Sequence, residues 1–154
     1  MPPMDPDALR TAVTPETAAI ILEPIQGEGG VRPIPQATAD AVQALCAETG
    51  TLLIADEVQC GLGRSGPFLA YAHAGVLPDV VTLAKPLAGG LSVGATLACA
   101  HLSHTFRPGD HGSTFGGGSS MATAKLGALL LGNAVVGGNR RIAVTALGNG
   151  RVGQ

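Results

Sequence analysis

The chain has 154 residues, 45% hydrophobic and only 13% charged, with a net charge of -2. That length suits one domain or a piece of one, and so apolar a chain with so little net charge is not disordered over most of its length. Nine basic against eleven acidic residues leave no excess to neutralise phosphates, so a nucleic-acid partner is not expected. In chain order, residues 1–14 read as a polar lead-in with a short helical piece at 7–12. Residues 18–23 (AAIILE) form a continuous apolar run of the kind found in strands buried on both faces. Gly27, Gly29 and Gly30 interrupt it. Residues 36–48 carry Ala37, Val42, Leu45 and Cys46 at helical spacing, and Gly50 stops them. Residues 51–55 (TLLIA) are a second buried run and end at Asp56-Glu57. A short helix fits 68–74, with Gly75 as its stop. Residues 80–84 (VVTLA) give a third strand, ending at Lys85, and 94–99 (GATLAC) a fourth.

Strand and helix alternate, which predicts an α/β fold built on a parallel sheet. Polar residues stand at the carboxyl ends of the apolar runs: Glu23 after the first, Asp56 after the second, Lys85 after the third. Ligands bind at that edge in open α/β sheets. No run of about 18 apolar residues spans a membrane. The opening MPPMDPDALR lacks a basic start with an apolar core, so it does not read as a signal peptide. Cys46, Cys60 and Cys99 are odd in number with no CxxC spacing, which points to a reducing, cytoplasmic setting and away from disulfides or zinc.

Lys85 is one of two lysines. At the wall of an apolar cleft its neutral amine would be a nucleophile; otherwise it is a lysine snorkelling to solvent from a strand end. Asp56 and Glu57 could hold a protonated ring nitrogen or a metal, act as a base, or cap a turn. The four histidines are scattered and form no cluster with acids at ligand spacing, so no metal is expected. Residues 109–117 (GDHGSTFGG) form a Gly-rich loop in which Ser113, Thr114 and backbone N–H groups could cradle a phosphate. No lysine follows as in a Walker loop, and no strand leads into it as in a dinucleotide fingerprint.

Four segments, ILEPIQGEGGV (21–31), LLIADEVQCGLGRSG (52–66), PDVVTLAKPLAGG (78–90) and PGDHGSTFGG (108–117), together resemble the class III, fold-type I aminotransferases that use pyridoxal 5'-phosphate. The last is most similar to the acetylornithine and ornithine branch of arginine biosynthesis. The resemblance covers roughly residues 8–117. It implies a partial fold-type I large domain over 1–117, mainly parallel with one antiparallel strand and helices packed on the sheet, and a divergent tail over 118–154. It also implies roles. Lys85 would carry the cofactor as a Schiff base, and Asp56 would keep the pyridine nitrogen protonated. Glu57 would stand beside it, Val58 would pack on the ring, and Gln59 would bond near the phenolic oxygen. Thr114 would bind the cofactor phosphate across a homodimer interface. Ser113 would lie beside the substrate, and Glu28 would gate its side chain.

The implied reaction is transamination from an ornithine-type donor, N-acetylornithine, to 2-oxoglutarate. Other readings are a catalytically silent remnant or association module, and a non-enzymatic phosphate-binding module resting on the Gly-rich loop alone. The family is much longer than this chain, so a fragment is expected, with an unpaired sheet edge that favours association. After Gly117 the resemblance fades. Residues 111–154 hold no acid and four bases, and 132–154 hold six glycines, which suggests a frameshifted or truncated reading. Helical order is expected over 120–131, and little fixed structure beyond Gly137.

Overall fold

The computed structural model describes residues 5–90, 94–102, 104–105 and 142–145. The chain divides into two compact units, Met1–Val81 and Thr82–Gln154. The sheet is mainly parallel with one antiparallel pair, as the family resemblance implies.

In the first unit, α1 (Pro6–Ala12) starts where sequence chemistry places it. The Asp5 side chain accepts the Asp7 N–H at 3.1 Å, and Pro6 occupies the first turn, where no N–H is needed. Strand β1 (Ala19–Leu22) pairs in parallel with β4 (Leu52–Asp56), from Ala19 opposite Leu52 to Leu22 opposite Ala55. Between them lie a small antiparallel pair, β2 (Ile25–Gln26) with β3 (Arg32–Pro33), and helix α2 (Gln36–Thr49). The two short strands fall in a stretch that reads, from sequence, only as a glycine-broken loop.

Helix α2 buries Thr38, Ala39, Val42, Leu45 and Cys46, a stripe at 3.6-residue spacing, and packs on β4 and α1. Gly50 ends it with φ +73 and donates its N–H to the Cys46 carbonyl at 2.9 Å. The unit's core gathers Val42, Leu45, Leu53, Ala55, Leu69 and Val81. Expected burial on both strand faces is only partly met. Leu53 and Ala55 are buried, but Leu52 and Ile54 on the opposite face are half-buried, and Ile21 of β1 is 60% exposed. An unbroken apolar run cannot tell a strand covered on two faces from one covered well on a single face.

Strand β5 (Val80–Leu83) straddles the division and lies beside β4. Asp79 fastens its start: the Asp79 N–H donates to the Leu53 carbonyl at 2.8 Å, and its carboxylate accepts the Leu53 N–H at 3.0 Å. Helix α3 (Tyr71–Ala74) is a single turn closed by Gly75, shorter than the expected 68–74. In the second unit, the order is β5, β6 (Ala95–Cys99), β7 (Ile142–Thr145). Strands β6 and β7 are antiparallel, from Cys99 opposite Ile142 to Thr96 opposite Thr145. A strand there departs from the expectation of little structure beyond Gly137. The segment IAVT is rich in strand-forming residues, and its glycine-rich flanks hide that signal. The expected helix over 120–131 lies outside the described residues. Among the described residues no helix is long and apolar enough to cross a membrane.

Candidate functional site

Strand β4 ends at Asp56 and Glu57 follows it, one half-buried and the other fully buried, in the alternation of the strand. Asp56 is half-buried, and its Oδ1 accepts the Val58 N–H at 3.1 Å, which bends the chain into an Asx turn. Glu57 turns inward and is 1% exposed. Its Oε1 accepts the Tyr71 N–H at 2.7 Å, its Oε2 accepts the Ala70 N–H at 2.9 Å, and the Cys60 thiol donates to Oε2 at 3.5 Å. Glu57 was expected among the cofactor contacts. In the fold its buried carboxylate serves the backbone N–H groups of Ala70 and Tyr71. Burial, and secondarily the Glu57 charge, pushes the Cys60 thiol up to about 11. Gly61 fits because a Cβ there would stand 2.7 Å from the Glu57 carbonyl oxygen, and backbone cannot move aside cheaply.

At the end of β1, the half-buried Glu23 accepts the Gly27 N–H on Oε2 at 3.2 Å. That bond steadies the turn from β2 to β3, closed by Gly30 and Val31 N–H groups donating to the Gly27 carbonyl at 3.1 and 3.3 Å. Val31 sits at φ +54, an uncommon conformation for a β-branched residue. The turn presents Glu28, which is exposed and whose Oε1 accepts the Gln59 side-chain N–H at 3.3 Å. The fold therefore brings together Glu28 and Gln59, 31 positions apart, and sets Asp56, Val58 and Gln59 on one turn. Sequence reasoning missed how closely Gly27 approaches Gln59: a Cβ on Gly27 would overlap the Gln59 amide.

In the second unit, Lys85 opens a 3-10 turn, Lys85–Ala88, followed at once by Pro86. Its side chain is exposed and its φ is +40. A bulky residue in that region stores about 1–3 kcal/mol of strain, and such strain gathers at functional sites. Gly89, at φ +60, closes the turn with its N–H on the Pro86 carbonyl at 3.4 Å. Ser113 and Thr114 lie outside the described residues.

The family model described as "Aminotransferase class-III" matches residues 6–132. An acetylornithine aminotransferase of Methanopyrus kandleri is 54% identical over 113 residues, covering 73% of this chain and 29% of that protein. The Streptomyces coelicolor acetylornithine aminotransferase is 54% identical over 126 residues, covering 81% of this chain and 31% of its own length. Among solved structures, ornithine delta-aminotransferase of Plasmodium falciparum superposes with a TM-score of 0.71 at 42% identity, over 80% of this chain and 33% of that one. An N-acetylornithine aminotransferase from Stenotrophomonas maltophilia gives 0.59 at 47% identity, over 62% of this chain and 26% of that one. The chain thus spans about a third of the length of the relatives it matches.

Proposed function

The chain belongs to the class-III aminotransferases, and from that membership we propose that it carries the cofactor-holding part of a pyridoxal 5'-phosphate transaminase. The amino donor is of ornithine type, N-acetylornithine, and the acceptor is 2-oxoglutarate. The observation that carries this reading is Lys85, an exposed primary amine on a strained backbone at the end of β5. The residues present suit the cofactor. Asp56 offers a half-buried carboxylate oriented by the Val58 N–H, the chemistry a protonated pyridine nitrogen needs. The cofactor, when bound, supplies an electron sink for cleavage of a bond at the substrate's amino-bearing carbon.

The chain's own residues do the rest. Lys85 Nζ would attach the cofactor and, once displaced by the substrate amine, would move the proton from the substrate's amino-bearing carbon to the cofactor carbon. Asp56 keeps the ring nitrogen protonated, Val58 packs on the ring, and Gln59 bonds near the phenolic oxygen. Glu28 gates the donor side chain, Ser113 lies beside it, and Thr114 binds the cofactor phosphate from the neighbouring subunit of a homodimer. Residues 1–117 form the partial cofactor domain and 118–154 a divergent tail. The setting is the cytoplasm, in keeping with three buried cysteines that form no disulfide.

Addition of pyridoxal phosphate to the purified chain tests this. The expected result is a visible absorbance band that borohydride removes, leaving a mass adduct on the Lys85 peptide. Absence of band and adduct sinks the enzymatic reading for this chain and leaves the association module. That alternative draws on the same partial coverage of its relatives, since a site built from several segments is incomplete on one third of them.

A further inference from the structure

Gly27 lies at a turn, yet its backbone does not use the left-handed region that Gly30 occupies at φ +100. Any L-residue could adopt its conformation, so the turn does not require glycine there. Space does. An ideal Cβ on Gly27 would overlap Oε1, Cδ and Nε2 of Gln59, the whole terminal amide. The overlapping atoms are the far end of a flexible side chain, not backbone. A methyl group there would therefore move Gln59 aside at small cost to the fold. The displaced amide is the group whose N–H reaches Glu28 Oε1 at 3.3 Å. Gly27 itself is held in register, because its N–H donates to Glu23 Oε2 at 3.2 Å at the end of β1.

We propose that Gly27 is a positioning residue: it vacates the volume that the Gln59 amide fills, so that Gln59 meets Glu28, with Glu23 setting the depth of the turn. The consequence for catalysis rests on the reading above, in which Gln59 bonds the cofactor's phenolic oxygen and Glu28 gates the donor. The turn 27–31 and the end of β4 then form one unit, and Glu28 can sense a donor and pass its presence to Gln59 through one hydrogen bond. Glu23 acts through Gly27, by the bond to its N–H.

The test uses the 154-residue chain with Gly27→Ala, read by the nitrogen and proton resonances of the Gln59 side-chain amide. In the unsubstituted chain those resonances shift on Glu28→Gln. In Gly27→Ala they are expected at solvent-like positions and indifferent to Glu28→Gln, while the melting temperature and the amides of α2 stay unchanged. Affinity for pyridoxal phosphate should fall roughly two- to tenfold, the worth of one net hydrogen bond. Gln59 resonances that stay in place in Gly27→Ala overturn the proposal. Should Gly27→Ala fail to fold, Gly27→Ala with Gln59→Ala decides: recovery upholds the steric pairing, and continued failure overturns it. If the unsubstituted chain binds no pyridoxal phosphate, the transaminase reading fails, and the amide comparison still decides the positioning role.

Discussion

Glu57 Oε1 accepts the backbone N–H of Tyr71 at 2.7 Å across 14 positions of chain. With the Ala70 N–H on Oε2, one buried carboxylate satisfies two consecutive backbone donors. Charge-assisted bonds of this kind contribute about 1.5–3 kcal/mol each, and a buried donor stripped of its partner costs about 1–3 kcal/mol. Glu57→Ala is therefore expected to destabilise the chain by about 3 kcal/mol or more. Glu57→Gln, which keeps one accepting oxygen, should cost about 1–2 kcal/mol. Urea denaturation measures both, and equal losses for the two would contradict the paired-acceptor geometry.

Cys60 supplies a pH signature of the same cluster. Its thiol is raised from 9.0 to about 11, by burial first and by the Glu57 charge second. The native state therefore keeps the proton in a window where the unfolded chain gives it up. Stability from this group is complete below pH 9.0 and declines as pH rises towards about 11. Cys60→Ala should flatten that alkaline decline in a stability-versus-pH series. In the intact protein Cys60 should resist alkylation near neutral pH. Glu57→Gln should speed its alkylation at alkaline pH, because it removes a charge that disfavours the thiolate. A Cys60 that alkylates at the rate of an exposed thiol at neutral pH would falsify the assignment.

The strands at 19–22, 52–56 and 80–83 were legible because each is a short apolar run between turn signals, and α2 because its buried stripe keeps helical spacing. The positions of Lys85 and Asp56 at the ends of β5 and β4 were legible for the same reason: a charged residue at the end of such a run is conspicuous. Glu57 was not. Beside Asp56 it looks like a second cleft carboxylate, and only the fold reveals that it faces inward to Ala70 and Tyr71. The Glu28–Gln59 bond was hidden too, since sequence separation says nothing about which loops meet. The strand at 142–145 was masked by the glycines around it, because its pairing is with β6, more than 40 positions away in sequence.

The two glycines at α2's end and in the β2–β3 turn should respond differently to the same change. Gly50 sits at φ +73 with open space around the position of a Cβ. The Cβ of alanine there costs backbone strain alone, so Gly50→Ala should destabilise by about 1 kcal/mol. Gly50→Asn should lose less, because asparagine tolerates the left-handed region. Thermal melts of the two variants check this, and an alanine as stable as glycine would mean that α2 ends in another conformation.

Lys85 combines strain and chemistry, so its substitutions should separate the two. Its φ of +40 is held against a preference worth about 1–2 kcal/mol for any residue with a Cβ. Alanine keeps that Cβ and the strain, so Lys85→Ala should leave stability within about 0.5 kcal/mol, as an exposed substitution does. Glycine removes the Cβ and adopts the conformation freely, at an unfolded-chain entropy cost of about 0.5–1 kcal/mol. The release of strain outweighs that cost, and Lys85→Gly should be more stable than Lys85→Ala by about 0.5–1 kcal/mol. Both should lose the borohydride-trapped adduct completely. Lys125, the other lysine, lies in the stretch proposed above as a divergent tail and is not expected to substitute for it. Asp56→Asn should keep the adduct and slow turnover, because a neutral amide does not hold the ring nitrogen protonated. Denaturation curves and peptide mass spectra read the two consequences independently. Lys85→Gly less stable than Lys85→Ala would mean the backbone there is relaxed. An adduct surviving in Lys85→Ala would move the attachment to a different amine.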